Sequence, residues 1–271
     1  MEEASSWETQ EDRHPSTLIS IINMIELPER MGKLEEARPL YEEELQAKRE
    51  MLGDRHPDTL ISIGNLGALL KDMGKLEDAR PLYEEALQTK KKTLGDRHPD
   101  TLASINNMGT LLQQEMGKLD EARPLFEEAL QGRRETLGDR HPLTLQSINN
   151  MGSLLQEMGK LEEARLLYEE AMQAYRETLG DRHPYTLTSI TNMAGLLYEQ
   201  GTDQDLAVAY LQEAAQAYAE TLGSNHPATQ NAVAGLQMLL PWGVKAQTKE
   251  GTPLIISLPR PPPLKPTAED G

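Results

Sequence analysis

Imidazole side chains are the usual general bases and metal ligands near neutral pH, and in this sequence they follow a single rule of placement. There are six histidines, His14, His56, His98, His141, His183 and His226, and each is followed by proline. Five read DRHP and the last reads SNHP; their spacings are 42, 42, 43, 42 and 43 residues. Metal coordination and proton transfer are the two chemistries such a set would serve. Zinc needs its ligands within ~2.1 Å of one ion, whereas equivalent positions on adjacent helical units stand ~8–10 Å apart or more. No cysteine is present to complete a thiolate site. No phosphate-cradling glycine loop, nucleophile elbow or metal-ligand spacing occurs elsewhere in the chain. The histidines read as structural, and the expectation is no enzyme, no metal and no cofactor.

What, then, do they hold together? A fixed period in this range is the signature of a stacked array. Each unit reads as two helices. In the second unit the first helix spans about 58–73, with Leu60, Ile63, Leu66, Leu69 and Leu70 at helical spacing. The second runs 76–94 with a stripe through Leu76, Ala79, Leu82, Tyr83, Ala86 and Leu87. LGDRHP is the joint between units. Gly95 is expected in a left-handed helix-end conformation, and Pro99 pre-sets the next helix. Asp96 and His98 are placed to cap the chain ends. Pro39, Pro81 and Pro124 lie near the start of the second helices, where a missing N–H costs less than it does deeper in.

Bulk composition agrees with an elongated fold whose units touch only their neighbours. Hydrophobic residues make up 38% and aromatics 4%, lean for one compact core of 271 residues. A net charge of −17 argues against nucleic acid and against an anionic membrane surface as partners. No apolar run approaches the ~20 residues of a membrane span. The N-terminus is acidic and polar rather than a secretion signal, and a cytoplasmic location is expected. The acidic runs fall mostly on the second helices and read as a solvated face, or else as a docking surface for a basic partner; Arg38, Arg80, Arg123 and Arg165 are placed to pair with them locally.

The stretch NLGALLKDMGKLEDARPLYEEAL resembles the tetratricopeptide repeat. The matching residues are a small one on the first helix, a turn glycine, and alanine, ring, alanine on the second helix. In order they are Gly67, Gly74, Ala79, Tyr83 and Ala86; then Gly109, Gly117, Ala122, Phe126 and Ala129; then Gly152, Gly159, Ala164, Tyr168 and Ala171. The 42-residue period with its LGxxHPxT joints is similar to the kinesin light chain and nephrocystin type, and to the repeat tails of fungal NLR-like sensors. The resemblance implies an all-α, right-handed superhelical solenoid of helix pairs. Five pairs and a capping helix would fill 14–240, after a remnant or cap at 1–13 and before a Pro-rich, disordered tail at 241–271. In the first unit Ile25, Pro28 and Glu44 depart from the pattern, so its first helix should be short or kinked.

The family's groove positions map onto Lys71 in the second unit, Asn106, Thr110 and Gln113 in the third, Asn149, Ser153 and Gln156 in the fourth, and Tyr198 in the fifth. The implied function is a protein-interaction scaffold or adaptor that takes an extended peptide, repetitive if the near-identical units are used in register. Asn106 and Asn149 are the implied peptide contacts. A second amide ladder one residue on, through Asn23, Asn65, Asn107, Asn150 and Asn192, is expected to bond between helices. Kinesin heavy chain or cargo are implied partners, although Lys71 is nearly alone as a basic groove residue. The alternative is a sensor or regulatory repeat segment of a larger NLR-like protein. In the tail, residues 260–266 (RPPPLKP) resemble a Src-homology-3 ligand.

Overall fold

The computed structural model describes residues 33–114, 118–239, 245–247 and 255–257. These fall into two compact units, Met1–Asn150 and Met151–Gly271. The remnant at 1–13, the first unit's opening helix, Gly117 and the 260–266 motif lie outside the described residues.

Unit 1 contains α1 (Leu34–Leu52), α2 (Pro57–Asp72), α3 (Leu76–Leu94), α4 (Pro99–Gln114), α5 (Leu119–Leu137) and the first part of α6 (Pro142–Glu157). Unit 2 contains the rest of α6, then α7 (Leu161–Leu179), α8 (Pro184–Gln200), α9 (Gln204–Leu222) and α10 (Pro227–Leu239). Odd-numbered helices from α1 to α9 are the repeat's second helices, each 19 residues long. Most open with acidic side chains and close with basic ones, as in α3 with Glu77 and Asp78 at one end and Lys91 and Lys92 at the other. That distribution complements the helix dipole. The helices continue through Pro39, Pro81 and Pro124.

The joints show what LGDRHP does. His56, His98, His141, His183 and His226 each accept, through Nδ1, the backbone N–H two residues on, at 3.1–3.2 Å. Each imidazole is thus a helix N-cap with its Nδ1 unprotonated, and the following proline occupies the first helical position. Gly95 has φ 88°, the positive value expected of it, but ψ 163°. That is an extended, glycine-only region and not the left-handed helical one, so the expectation is corrected in ψ. A Cβ there would meet nothing within 4 Å; the backbone angle, not crowding, requires glycine.

The opposite applies inside the pairs. A Cβ on Gly67 would stand 3.4 Å from the Tyr83 ring, on Gly109 3.1 Å from Phe126, and on Gly152 2.8 Å from Tyr168. Small residues let the helices close on a ring. In the fifth pair these positions hold Ala194 and Leu211, both buried.

A second buried series was missed in the sequence. Lys48 Nζ donates to Ser62 Oγ at 2.8 Å, Lys90 Nζ to Ser104 Oγ at 3.0 Å and Arg133 to Ser147 Oγ at 2.8 Å, each 14 residues on. Burial lowers the pKa of the Lys90 ammonium from its ordinary value. Glu44, which stands where later units have alanine, is 4% exposed. It lies 2.6 Å from Lys48 and accepts from Ser62 at 3.0 Å. A buried carboxylate is tolerable only when so paired.

Two short segments of the stretch 241–271 have extended backbone. Two strands, β1 (Lys245–Gln247) and β2 (Ile255–Ser257), pair antiparallel with Lys245 opposite Ser257, and β1 lies beside α10. Consecutive isoleucines at 255 and 256 favour extended backbone. Among the described residues no helix is long and apolar enough to cross a membrane.

Candidate peptide-binding surface

The first helices carry the candidate residues, and helical phase decides which of them reach the surface. Along α4, Leu102, Ile105 and Gly109 are buried. Asn106 lies four residues after Leu102 and three before Gly109, within that stripe. It is 6% exposed, and its counterpart Asn149 is 8% exposed. Neither presents a free groove face, which corrects the expectation of peptide contact for both. Asn106 Oδ1 instead accepts from Asn150 Nδ2 of α6 at 3.0 Å, a bond between first helices of successive pairs. Asn150, a member of the second ladder, thus makes the interhelical bond expected of it, while Asn65 and Asn107 of that ladder are exposed.

The remaining candidates in unit 1 are half-buried. Thr110 Oγ1 donates back to the Asn106 carbonyl at 3.0 Å, which leaves its methyl and the acceptor lone pairs of Oγ1 for a ligand. Gln113 is half-buried too. Lys71 Nζ stands 3.8 Å from Asp72, so the one basic candidate has an acid beside it.

Unit 2 brings Ser153 and Gln156 together. With Tyr168, Asn192 and Glu199 they line a polar cavity of about 340 Å³. Tyr168 Oη donates to Gln156 Oε1 at 3.2 Å, and Gln156 Nε2 donates to Glu199 Oε2 at 2.7 Å. Burial pushes the Tyr168 hydroxyl far above the ordinary tyrosine range, and the Glu157 and Glu199 charges add to this. It therefore stays a donor, and a relay of hydroxyl, amide and carboxylate faces the cavity. Such a set can donate to and accept from a peptide backbone.

Tyr198 belongs to a different surface. It is 53% exposed and lines a groove of about 450 Å³ with Ala194, Leu211, Tyr218, Gly235 and Met238. Thr191 and Gly195 line both this groove and the polar cavity. The groove is largely apolar, and Leu211 lines it where the earlier units carry a ring. That substitution was visible in the sequence, but its consequence needed the placement of α10.

Small residue against ring, capped joints and a 42-residue period recur from pair to pair. The tetratricopeptide repeat family profile matches residues 16–92, 64–115, 100–177 and 145–220. The chain belongs to the tetratricopeptide repeat family. No curated protein sequence matches it. Among solved structures it is similar to a Podosopora anserina array of nearly identical repeats named for the kinesin light chain. That likeness is 28% identical over 77% of this chain and 98% of the other, with a TM-score of 0.63. BtubC (BKLC) from P. vanneervenii aligns at 21% identity over 78% of this chain and 83% of its own, TM-score 0.63. The apo quorum sensor NprR from B. thuringiensis aligns at 15% over 82% and 57%, TM-score 0.61. The last two show the tetratricopeptide fold alone. Repeats of this family serve protein–protein interaction, and that is the functional class of this chain.

Proposed function

We propose that the chain is an adaptor that takes an extended peptide on the outward face of its first helices. The observation that carries this reading is the polar cavity of unit 2. There Ser153, Gln156, Tyr168 and Asn192 offer paired donors and acceptors beside Glu199, a surface suited to main-chain amides. Within unit 1 the first helices offer Asn107, Thr110 and Gln113, with Lys71 at the second pair. Asn106 acts by tying α4 to α6 through Asn150. The finer reading is a kinesin light chain-like adaptor, supported by the likeness to the Podosopora anserina array. Its peptide would not be strongly acidic, because Glu199 and Glu157 line the cavity and Lys71 sits against Asp72.

The test is selection from a random peptide library on the immobilised full chain, followed by titration against Gln156→Arg and Thr110→Arg. Peptides that bind the parent and lose affinity on either variant support the reading. Peptides indifferent to both remove it. Titration of the full chain with purified kinesin heavy chain tests the motor role separately.

A further inference from the structure

The apolar groove of unit 2 lies among α8, α9 and α10. Tyr198 at its edge is 53% exposed and Met238 78% exposed, so apolar surface faces solvent where the chain leaves its last helix. The groove meets the polar cavity at Thr191 and Gly195, and Glu157 and Glu199 line that cavity. Its occupant should therefore be extended, apolar and basic.

One segment of this chain has that character. Residues 258–266, LPRPPPLKP, hold Arg260 and Lys265 and no acid, in a chain of net charge −17. A run of prolines is already extended, and such segments dock on aromatic-lined grooves with little ordering cost.

Reach permits it. Lys245 is six residues past Leu239, at most ~21 Å of chain. Ser257 pairs with Lys245, so the hairpin returns the chain to within ~5 Å of that point. Nine residues of polyproline conformation then span ~28 Å. The 13 residues of α10 span ~20 Å. The segment therefore begins close enough to lie along the groove.

We propose that residues 258–266 dock in cis in the groove among α8, α9 and α10, with Arg260 or Lys265 toward Glu157 and Glu199. The inference rests on the adaptor reading only through Tyr198, and its test contains no partner, so the two fail separately.

The natural chain has no cysteine, so a single engineered thiol reports on the groove. Met238→Cys is labelled with a maleimide in the full chain and in a chain whose residues 258–266 are replaced by glycine and serine. The hairpin is present in both. A segment docked about nine-tenths of the time slows labelling about tenfold relative to the replacement, at every protein concentration. Leu166→Cys, 67% exposed on α7, is labelled at the same rate in both chains. Equal rates for the Met238→Cys pair overturn the proposal. Protection that grows with protein concentration comes from the tail of another copy and overturns the assignment in cis.

Discussion

Replacing Gly152 with alanine sets two effects against each other, and the distances decide between them. In a helix interior alanine is favoured over glycine by about 1 kcal/mol. Against that, the new Cβ would lie 2.8 Å from the Tyr168 ring, compared with 3.1 Å for Gly109 against Phe126 and 3.4 Å for Gly67 against Tyr83. At 3.4 Å the contact is ordinary, so Gly67→Ala should stabilise by up to about 1 kcal/mol. At 2.8 Å the ring must move, and overpacking of this kind costs about 1–3 kcal/mol. Gly152→Ala should therefore be neutral or destabilise by up to about 2 kcal/mol once the propensity gain is subtracted. Gly109→Ala falls between. The fifth pair supplies the rescue, because Ala194 and Leu211 occupy these two positions there. In a Tyr168→Leu background Gly152→Ala should become favourable, giving a coupling of about 1–3 kcal/mol. Urea unfolding of the full chain followed by circular dichroism measures all four corners of the cycle. If Gly152→Ala stabilises as much as Gly67→Ala, or the coupling is near zero, the ring does not require glycine and the packing argument fails.

The remaining predictions concern the joints and the buried polar groups. His98→Ala should cost about 0.5–2 kcal/mol through loss of the cap, and His98→Asn should recover most of it, both read by thermal unfolding. Lys48→Met strands the Glu44 carboxylate and should cost about 3 kcal/mol or more. Glu44→Ala recreates the arrangement found around Ala86, Lys90 and Ser104 and should cost less, so denaturation should rank the two in that order. Burial pushes the Tyr83 hydroxyl up to about 12, while the unfolded phenol ionises near ~10. The folded state then holds the extra proton, so this contribution to stability is full below about pH 10 and is lost by about pH 12. Tyr83→Phe, the residue type already present at 126, should flatten that alkaline loss in pH-dependent unfolding.

How much of this could be read from residues alone depended on what repeats. The period, the joint and the small-against-ring pairing recur in consecutive units, and helix boundaries followed them closely: about 58–73 was expected and α2 is Pro57–Asp72. The ψ of Gly95 was not legible, because glycine at a helix end is compatible with two positive-φ regions. Asn106 and Asn107 are neighbours of the same type, and only the phase of Leu102, Ile105 and Gly109 separates the buried amide from the exposed one. That phase was available and was outweighed by the family pattern. The series Lys48–Ser62, Lys90–Ser104 and Arg133–Ser147 was present as a constant spacing of 14. It escaped notice because long cations on a helix ordinarily signal a solvated face. The apolar groove was hidden for another reason: it forms where the pattern lapses at Leu211 and where α10 packs against α8 and α9.

If the outward face of the first helices binds extended peptide, a library-selected peptide titrated against the full chain should lose at least about tenfold in affinity, 1.4 kcal/mol, on Gln156→Arg and none on His98→Asn, a joint variant away from that face. Unchanged affinity on Gln156→Arg would contradict that reading and move the working surface elsewhere on the chain.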